Sequence, residues 1–589
     1  MSWGNYTTLL RFLLVALLLF ALSLAVALSF IDYQQFSDQL LLWVNKQAWK
    51  TYFEQQVFPP KRFFYTKIVY WLLQPILWLG VYWGYQNAPR FSQRIYYFNQ
   101  KTKQLFRQLF IAKIYLQERW VVGLLTIAFL VRIAFQNYQY ELQYDEAWTY
   151  NHFVSKGVLV SLISPNNNHI FYTLWASLLE YTGLPGKYVM RLPVVITGAL
   201  LGLTFYGVVR QWFGAKLAFF ATALLWSSPA VVFYSMYGRG YIFQLFWGWV
   251  ALVAMLKIIE NNANTKKYYW TIWVIAHVLG LYSVPTHLYL WVALSGVLLL
   301  AICTEKVSSF WYWLRANLWI TLLSSLLFLP LLLTNGMTAL WQAASGVTVS
   351  GESFWNYKNR VADWLLVGGG RGTIVYPFYG VLFLASMAGL GYYYQQKNKQ
   401  LFYLSLTTVV LLLLPTLVGA VVGTQTPYRA WCFVAVFIVL LLPLWGNILL
   451  EHQWGKYGVT AISISAVVCS LWRSEVHYFT HWSQQLDRTA PEVAAVLLEH
   501  QVDTCYFFSN YDKPLLQYYY LQAGKSLTAP MVFVASKDYA PFEQANQRYQ
   551  AVLWDKEDYK YSAAEVAWLE RYYPVVWYQN ERIVIRAAR

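Results

Sequence analysis

Long apolar runs, parted by short and often basic loops, fill the first 473 residues of the chain. The hydrocarbon core of a bilayer takes a helix of about 20 apolar residues. Runs of that order lie at Leu9–Ile31, Phe63–Tyr85 and Arg119–Phe135. A second series follows at 190–209, 217–236, 240–258, 268–284, 286–303, 317–335, 374–394, 401–422, 430–449 and 458–472, so the pattern predicts about thirteen spans. The first run includes Ala25-Val26-Ala27, which has the form of a signal-peptidase site. Its apolar stretch is too long for a signal core and predicts an uncleaved span. Ile170–Tyr181 is too short to span and predicts a helix at the membrane interface.

After Arg473 the periodicity changes. Thr504–Ser509, Met531–Val534 and Ala551–Trp554 read as short buried strands, and Leu515–Gln522 and Ala563–Tyr572 as helices. Pro574–Ile585 reads as a hairpin turning at Gln579-Asn580. The expected fold class is an α-helical polytopic membrane protein with a small C-terminal α/β domain outside the membrane. Residues 1–118 form an N-terminal extension with two spans and a basic loop. Residues 119–473 form the main membrane domain, with a first outer loop at 137–190, and 474–589 form the soluble domain.

Composition agrees: 58% of residues are hydrophobic, 19% aromatic and only 12% charged. A soluble domain carries about 25% charged residues, so a soluble or disordered chain is excluded. Four cysteines without a CxxC pair exclude a disulfide scaffold and a cysteine zinc site. The net charge of +17 divides unevenly: residues 474–589 hold 11 Lys+Arg against 14 Asp+Glu, and residues 1–473 hold 33 against 13. The basicity therefore belongs to the membrane part, where it reports topology, and nucleic acid is excluded as a partner. With the basic loop 86–118 placed in the cytoplasm, the inner loops carry 18 basic and 4 acidic residues and the outer loops 12 and 9.

That topology gathers the rare charges on the outer face. Asp145 and Glu146, in Tyr144-Asp145-Glu146-Ala147-Trp148, can divide labour as a base and its partner. On the same face lie His169, Arg191, the Tyr237-Gly238-Arg239-Gly240-Tyr241 segment, His287 and Arg429. Singly, such residues are snorkelling anchors or solvated loop acids. Together they suit an anionic, lipid-borne substrate, because the forked guanidinium matches phosphate. Glu146, His169 and His287 also offer ligands to a divalent metal, although no spacing demands one and no other cofactor is indicated. The glycine-rich Gly368–Gly372 lacks the flanking strand and helix of a phosphate cradle and predicts a flexible outer loop.

At these residues the chain resembles the protein O-mannosyltransferase/aminoarabinose-transferase superfamily, membrane glycosyltransferases of the GT-C fold (family 39-like). The resemblance rests on the Asp145-Glu146 pair, the His169-led short helix, Arg191-Leu192-Pro193 and the Trp212-Phe213-Gly214 turn. It continues through Ser228-Pro229, Phe233-Tyr234-Ser235, Arg239, Tyr241 and Thr286-His287. It covers residues 120–300 well and 300–470 loosely, and departs at His169-Ile170, where the family often has His-Pro. It implies sugar transfer from a polyprenyl-phosphate donor to a lipid, protein or polysaccharide acceptor. The reaction would take place on the extracytoplasmic face of a bacterial inner membrane. On this resemblance Asp145 is the general base and Glu146 its partner. Arg239, Arg429 and Arg191 hold the donor phosphate, and His169, His287, Tyr237 and Tyr241 line the substrate. The alternative is a transporter or flippase for a lipid-linked saccharide, which would carry ionisable groups at mid-membrane. Only Lys67 and Arg132, both in early spans, fit that description.

Overall fold

A computed structural model describes residues 3–43, 50, 54, 59–106, 116–164, 168–260, 263–304, 310–345, 375–422, 428–450, 455–475, 485–502, 505–507, 512–525, 550–555, 563–579 and 583–587. Every expected span falls on helix. The first three are Trp3–Phe30, Pro60–Gln86 and Leu116–Gln139, and the second series runs from Gly186–Phe213 to Gly455–Arg473. Among the described residues six helices are long and apolar enough to cross a membrane, and one bent pair would make a seventh. That pair, Ala215–Ser227 and Pro229–Met236, bends by 59° where Pro229 opens the second half. Proline lacks the N–H of a helix interior but suits a first turn. Ile170–Glu180 is an eleven-residue helix, about 17 Å long and too short to cross.

Two ion pairs mark the ends of the Gly186–Phe213 helix. Arg191 is bound to Glu146 near its start, and Arg210 donates to Glu118 at 2.5 and 3.0 Å near its end. Nineteen residues of rise separate the arginines, about 28 Å, close to the thickness of a hydrocarbon core. The two early-span charges also have partners. Lys67 donates to the Ile31 carbonyl at 2.7 Å at the end of the first helix, and Arg132 pairs with Glu475 at 2.8 Å.

Small residues let the helices approach closely. Gly198 and Gly202 lie one turn apart on the Gly186–Phe213 helix, where the Trp226 indole crosses them and donates to the Gly198 carbonyl at 3.1 Å. Trp226 stacks on Phe129 at 4.9 Å, which joins three helices in one core. Such close approach suits membrane bundles, where packing replaces the hydrophobic effect between helices.

The C-terminal residues form a four-stranded mixed sheet in the order β1-β2-β4-β3, with β1 Cys505–Phe507, β2 Ala551–Asp555, β3 Val575–Gln579 and β4 Ile583–Ala587. β1 and β2 are parallel, whereas β4 runs antiparallel to both β2 and β3. Helices Gln485–Glu499, Asp512–Gln522 and Ala563–Tyr572 complete this part. The strand expected at Met531–Val534 and the Gly368–Gly372 loop lie outside the described residues.

A Cβ at position 202 would stand 2.1 Å from the Trp226 ring. We therefore expect Gly202→Ala to cost about 1–3 kcal/mol of stability by overpacking. Thermal unfolding of purified protein in detergent should show a lower Tm, whereas Gly296→Ala, which meets nothing within 4 Å, should not.

Candidate functional site

The site begins with a nine-residue helix, Tyr144–His152, that is too short to persist alone. Gln143, in extended conformation, caps it, and the Glu146 carboxylate accepts back from the Gln143 amide at 3.0 Å. This capping box puts two carboxylates in the first turn, where the helix dipole favours them. Consecutive helical positions point in different directions, so the two carboxylates part company.

Glu146 points inward and is fully buried. Arg191 grips it with two bonds, Nε to Oε1 at 3.0 Å and Nη2 to Oε2 at 2.8 Å. The Gly238 amide adds a third donor at 2.7 Å. The remaining Arg191 hydrogens go to Asn137 Oδ1 at 3.1 Å, the Tyr140 carbonyl at 2.8 Å and the Glu141 carbonyl at 2.7 Å. A guanidinium has five N–H donors, and all five are spent. The assignment of Arg191 to a donor phosphate therefore needs correction: no hydrogen remains for a ligand. Glu146 changes role for the same reason, since both its oxygens are occupied, and it is a poor candidate for a metal ligand.

Asp145 points the other way. Arg429 Nη1 donates to Oδ2 at 3.0 Å, and the Asp145 side chain keeps 13% of its surface and that of Arg429 35%. Tyr237 also donates to this carboxylate. Burial by itself would raise the Asp145 pKa, but the nearby Arg239 and Arg429 guanidiniums and the two hydrogen bonds outweigh it and hold the group below its ordinary value. Tyr237 stays a neutral donor because burial, and then the Asp145 charge, push its pKa well up.

Arg239 sits on the turn between the bent pair and the next helix, with no exposed surface, and donates to Thr149 Oγ1 at 2.8 Å. Glycine on each side lets this turn press against its neighbours. A Cβ at 238 would come 2.7 Å from the Tyr172 hydroxyl, and one at 240 would come 2.7 Å from the Ser283 carbonyl. His169 caps the short Ile170–Glu180 helix with its ring 4.8 Å from Tyr241. Burial first, and then Arg239 and Arg429, hold it neutral, and its Nδ1 has no hydrogen-bond partner among the described residues. Tyr241 leans on Tyr234 at 4.7 Å, and Tyr237 stacks on Phe233 at 4.6 Å.

The structure thus brings Asp145, His169, Tyr237, Arg239, Tyr241 and Arg429 together, with the Arg191–Glu146 pair packed alongside. His287 turns into the bundle, with Nε2 3.1 Å from His277 Nδ1. Among the described residues no group of three or more His, Cys, Asp or Glu could hold a metal ion. Sequence reasoning missed Thr149 and Tyr172, whose partners lie 90 and 18 residues away. It also missed Gln143, although the spacing Gln143-x-x-Glu146 carries the capping-box signal.

The two carboxylates should differ in stability measurements. Glu146→Gln would leave Arg191 buried without its counter-charge and should cost about 3–5 kcal/mol, whereas Asp145→Asn, whose ion pair keeps contact with solvent, should lower the Tm by less. The folded pKa of Asp145 lies below the unfolded value of about 4. Its contribution is therefore complete above that value and lost as pH falls through the folded one. Tm measured against pH should show that acid-side loss in the wild type and lack it in Asp145→Asn.

No family profile matches the chain, and no curated protein is similar to it in sequence. Solved structures do match. ArnT from Cupriavidus metallidurans in the apo state overlays with a TM-score of 0.53 at 12% identity, covering 79% of this chain and 97% of that one. The same protein bound to undecaprenyl phosphate gives 0.50, at the same identity and coverage. An oligosaccharyltransferase from Archaeoglobus fulgidus gives 0.46 at 13% identity, over 77% of this chain and 71% of that one. The chain has the GT-C fold expected from its motifs.

Proposed function

We propose that this protein is a glycosyltransferase that moves a sugar from a polyprenyl-phosphate donor to an acceptor hydroxyl or amine at the extracytoplasmic membrane face. The observation that carries this reading is the Asp145 carboxylate set between two arginines, one of them only half committed, at one end of a GT-C bundle. The undecaprenyl phosphate bound by ArnT is consistent with a lipid phosphate as the natural ligand.

In this reading the donor phosphate docks on Arg239 and Arg429, and His169 Nδ1 and the Tyr237 and Tyr241 hydroxyls meet its oxygens or the sugar. Asp145 in its ion pair is a weak base. The phosphate competes for Arg429, which removes positive charge from Asp145 and raises its proton affinity as the donor arrives. The acceptor heteroatom then attacks the anomeric carbon and its proton passes to Asp145. The bond from that carbon to the phosphate oxygen breaks, and its electron pair leaves with the polyprenyl phosphate. The arginines stabilise the developing phosphate charge. A single displacement inverts the anomeric configuration. Arg191 and Glu146 touch neither substrate; they fix the helix that carries Asp145. A divalent metal, if used, would have to bind without Glu146.

Purified protein in lipid vesicles should transfer radiolabelled sugar from at least one member of a panel of undecaprenyl-phosphate-linked sugars. Asp145→Asn should lower kcat by about 10²–10⁴, the usual worth of a general base, and Arg429→Ala should raise KM for the donor and lower kcat as well. Undiminished transfer by Asp145→Asn would remove the base assignment. Translocation without transfer in the wild type would favour a flippase.

A further inference from the structure

A nine-residue helix holds its place only through its neighbours. The Tyr144–His152 helix has the membrane bundle on one side and the Asp512–Gln522 helix of the C-terminal part on the other. Asn151 donates to the Pro514 carbonyl at 2.7 Å, and Gln522 Nε2 donates to the Tyr150 hydroxyl at 3.0 Å. Tyr150 in turn donates to Glu180 at 2.6 Å and meets the Tyr518 ring edge-on at 5.1 Å. Gly186, which opens the Arg191 helix, leaves room for both rings: a Cβ there would stand 2.9 Å from each.

A second line of contact reaches the buried ion pair. The Tyr519 hydroxyl donates to Glu141 Oε2 at 3.1 Å, while Lys187 holds the other Glu141 oxygen at 2.9 Å. The carbonyl of the same Glu141 takes one of the five Arg191 hydrogens. The segment leading into the helix is therefore pinned from both sides. Tyr520 points the opposite way and donates to the Val502 carbonyl at 2.8 Å, anchoring the docking helix to its own part of the chain.

From these contacts we infer that the C-terminal domain is a working part of the site, with Tyr519 and Gln522 as positioning residues that set the Asp145 helix against Arg239 and Arg429. The inference rests on the glycosyl-transfer reading for its kinetic consequence, but not for its structural one. Neither residue touches a reacting atom; each acts through Glu141 or Tyr150. A displacement of about 1 Å at a reacting group can cost about a hundred-fold in rate, so loss of one hydrogen bond at this distance should cost about ten-fold.

The test uses the full chain in lipid vesicles, with Tyr519→Phe, Gln522→Ala, Glu141→Gln and the double variant Glu141→Gln/Tyr519→Phe. Three readouts are needed: kcat with the undecaprenyl-phosphate sugar on which the wild type is active, binding of undecaprenyl phosphate alone, and hydrogen exchange of residues 144–152. Expected are a kcat lowered about ten-fold, unchanged binding of undecaprenyl phosphate and faster exchange confined to that helix. The double variant should lose no more than Glu141→Gln alone, since both act through one bond. Wild-type kcat together with wild-type exchange in both Tyr519→Phe and Gln522→Ala would overturn the inference. If the wild type transfers from no donor, the enzymatic reading fails. Exchange then decides positioning by itself: faster exchange keeps it, unchanged exchange removes it.

Discussion

Arg191 and Glu146 form the contact on which the rest of the site depends. A guanidinium and a carboxylate, 2% and 0% exposed, face a desolvation cost of several kcal/mol each, and only excellent geometry and full hydrogen bonding offset it. Here the accounts are complete: five donors meet five acceptors, and the carboxylate also accepts from Gly238 and Gln143. The partners come from the Leu116–Gln139 helix and its exit, the Asp145 helix, the Gly186–Phe213 helix and the turn that bears Arg239. One ion pair thus ties the Asp145 helix to the turn that bears Tyr237 and Arg239.

The contrast with Asp145 and Arg429 follows from the same physics. That pair has one direct bond and keeps contact with solvent, so exchange of partners is cheap, and an incoming anion can compete. Two charged pairs a few residues apart are therefore fitted for different work, one for holding and the other for exchange. Arg191 and Arg210 mark opposite ends of one helix, so the Arg191–Glu146 and Arg429–Asp145 pairs lie together at one end of the bundle, where a phosphate on a lipid tail would meet them in the proposed reading. The C-terminal helix closes the arrangement from outside the bundle.

Much of this was legible in the sequence. Thirteen apolar runs all proved helical, because about twenty apolar residues in a row leave no other backbone arrangement in lipid. The strands at 505–507 and 551–555 and the hairpin at 575–587 followed from short apolar alternation. Loop charge alone places Asp145, Arg239, Arg429 and His169 on one face. Their individual duties were not legible. Whether Arg191 meets phosphate or Glu146 depends on where a residue 45 positions away turns its side chain. The direction of His287 was not legible for a related reason, because a residue at a helix start can turn towards the site or, as here, towards His277. The contacts of Tyr519 and Gln522 span 378 and 372 positions and leave no local pattern at all.

The central claim is that one charged pair is fixed and the other exchanges for a lipid phosphate. A structure of the protein with undecaprenyl phosphate bound, determined by electron cryo-microscopy, tests it most directly. The account predicts the phosphate against Arg239 and Arg429, the 3.0 Å contact between Arg429 and Asp145 opened, and the Arg191–Glu146 bonds unchanged. A phosphate seated on Arg191, or one bound elsewhere with the Asp145–Arg429 contact intact, would contradict it.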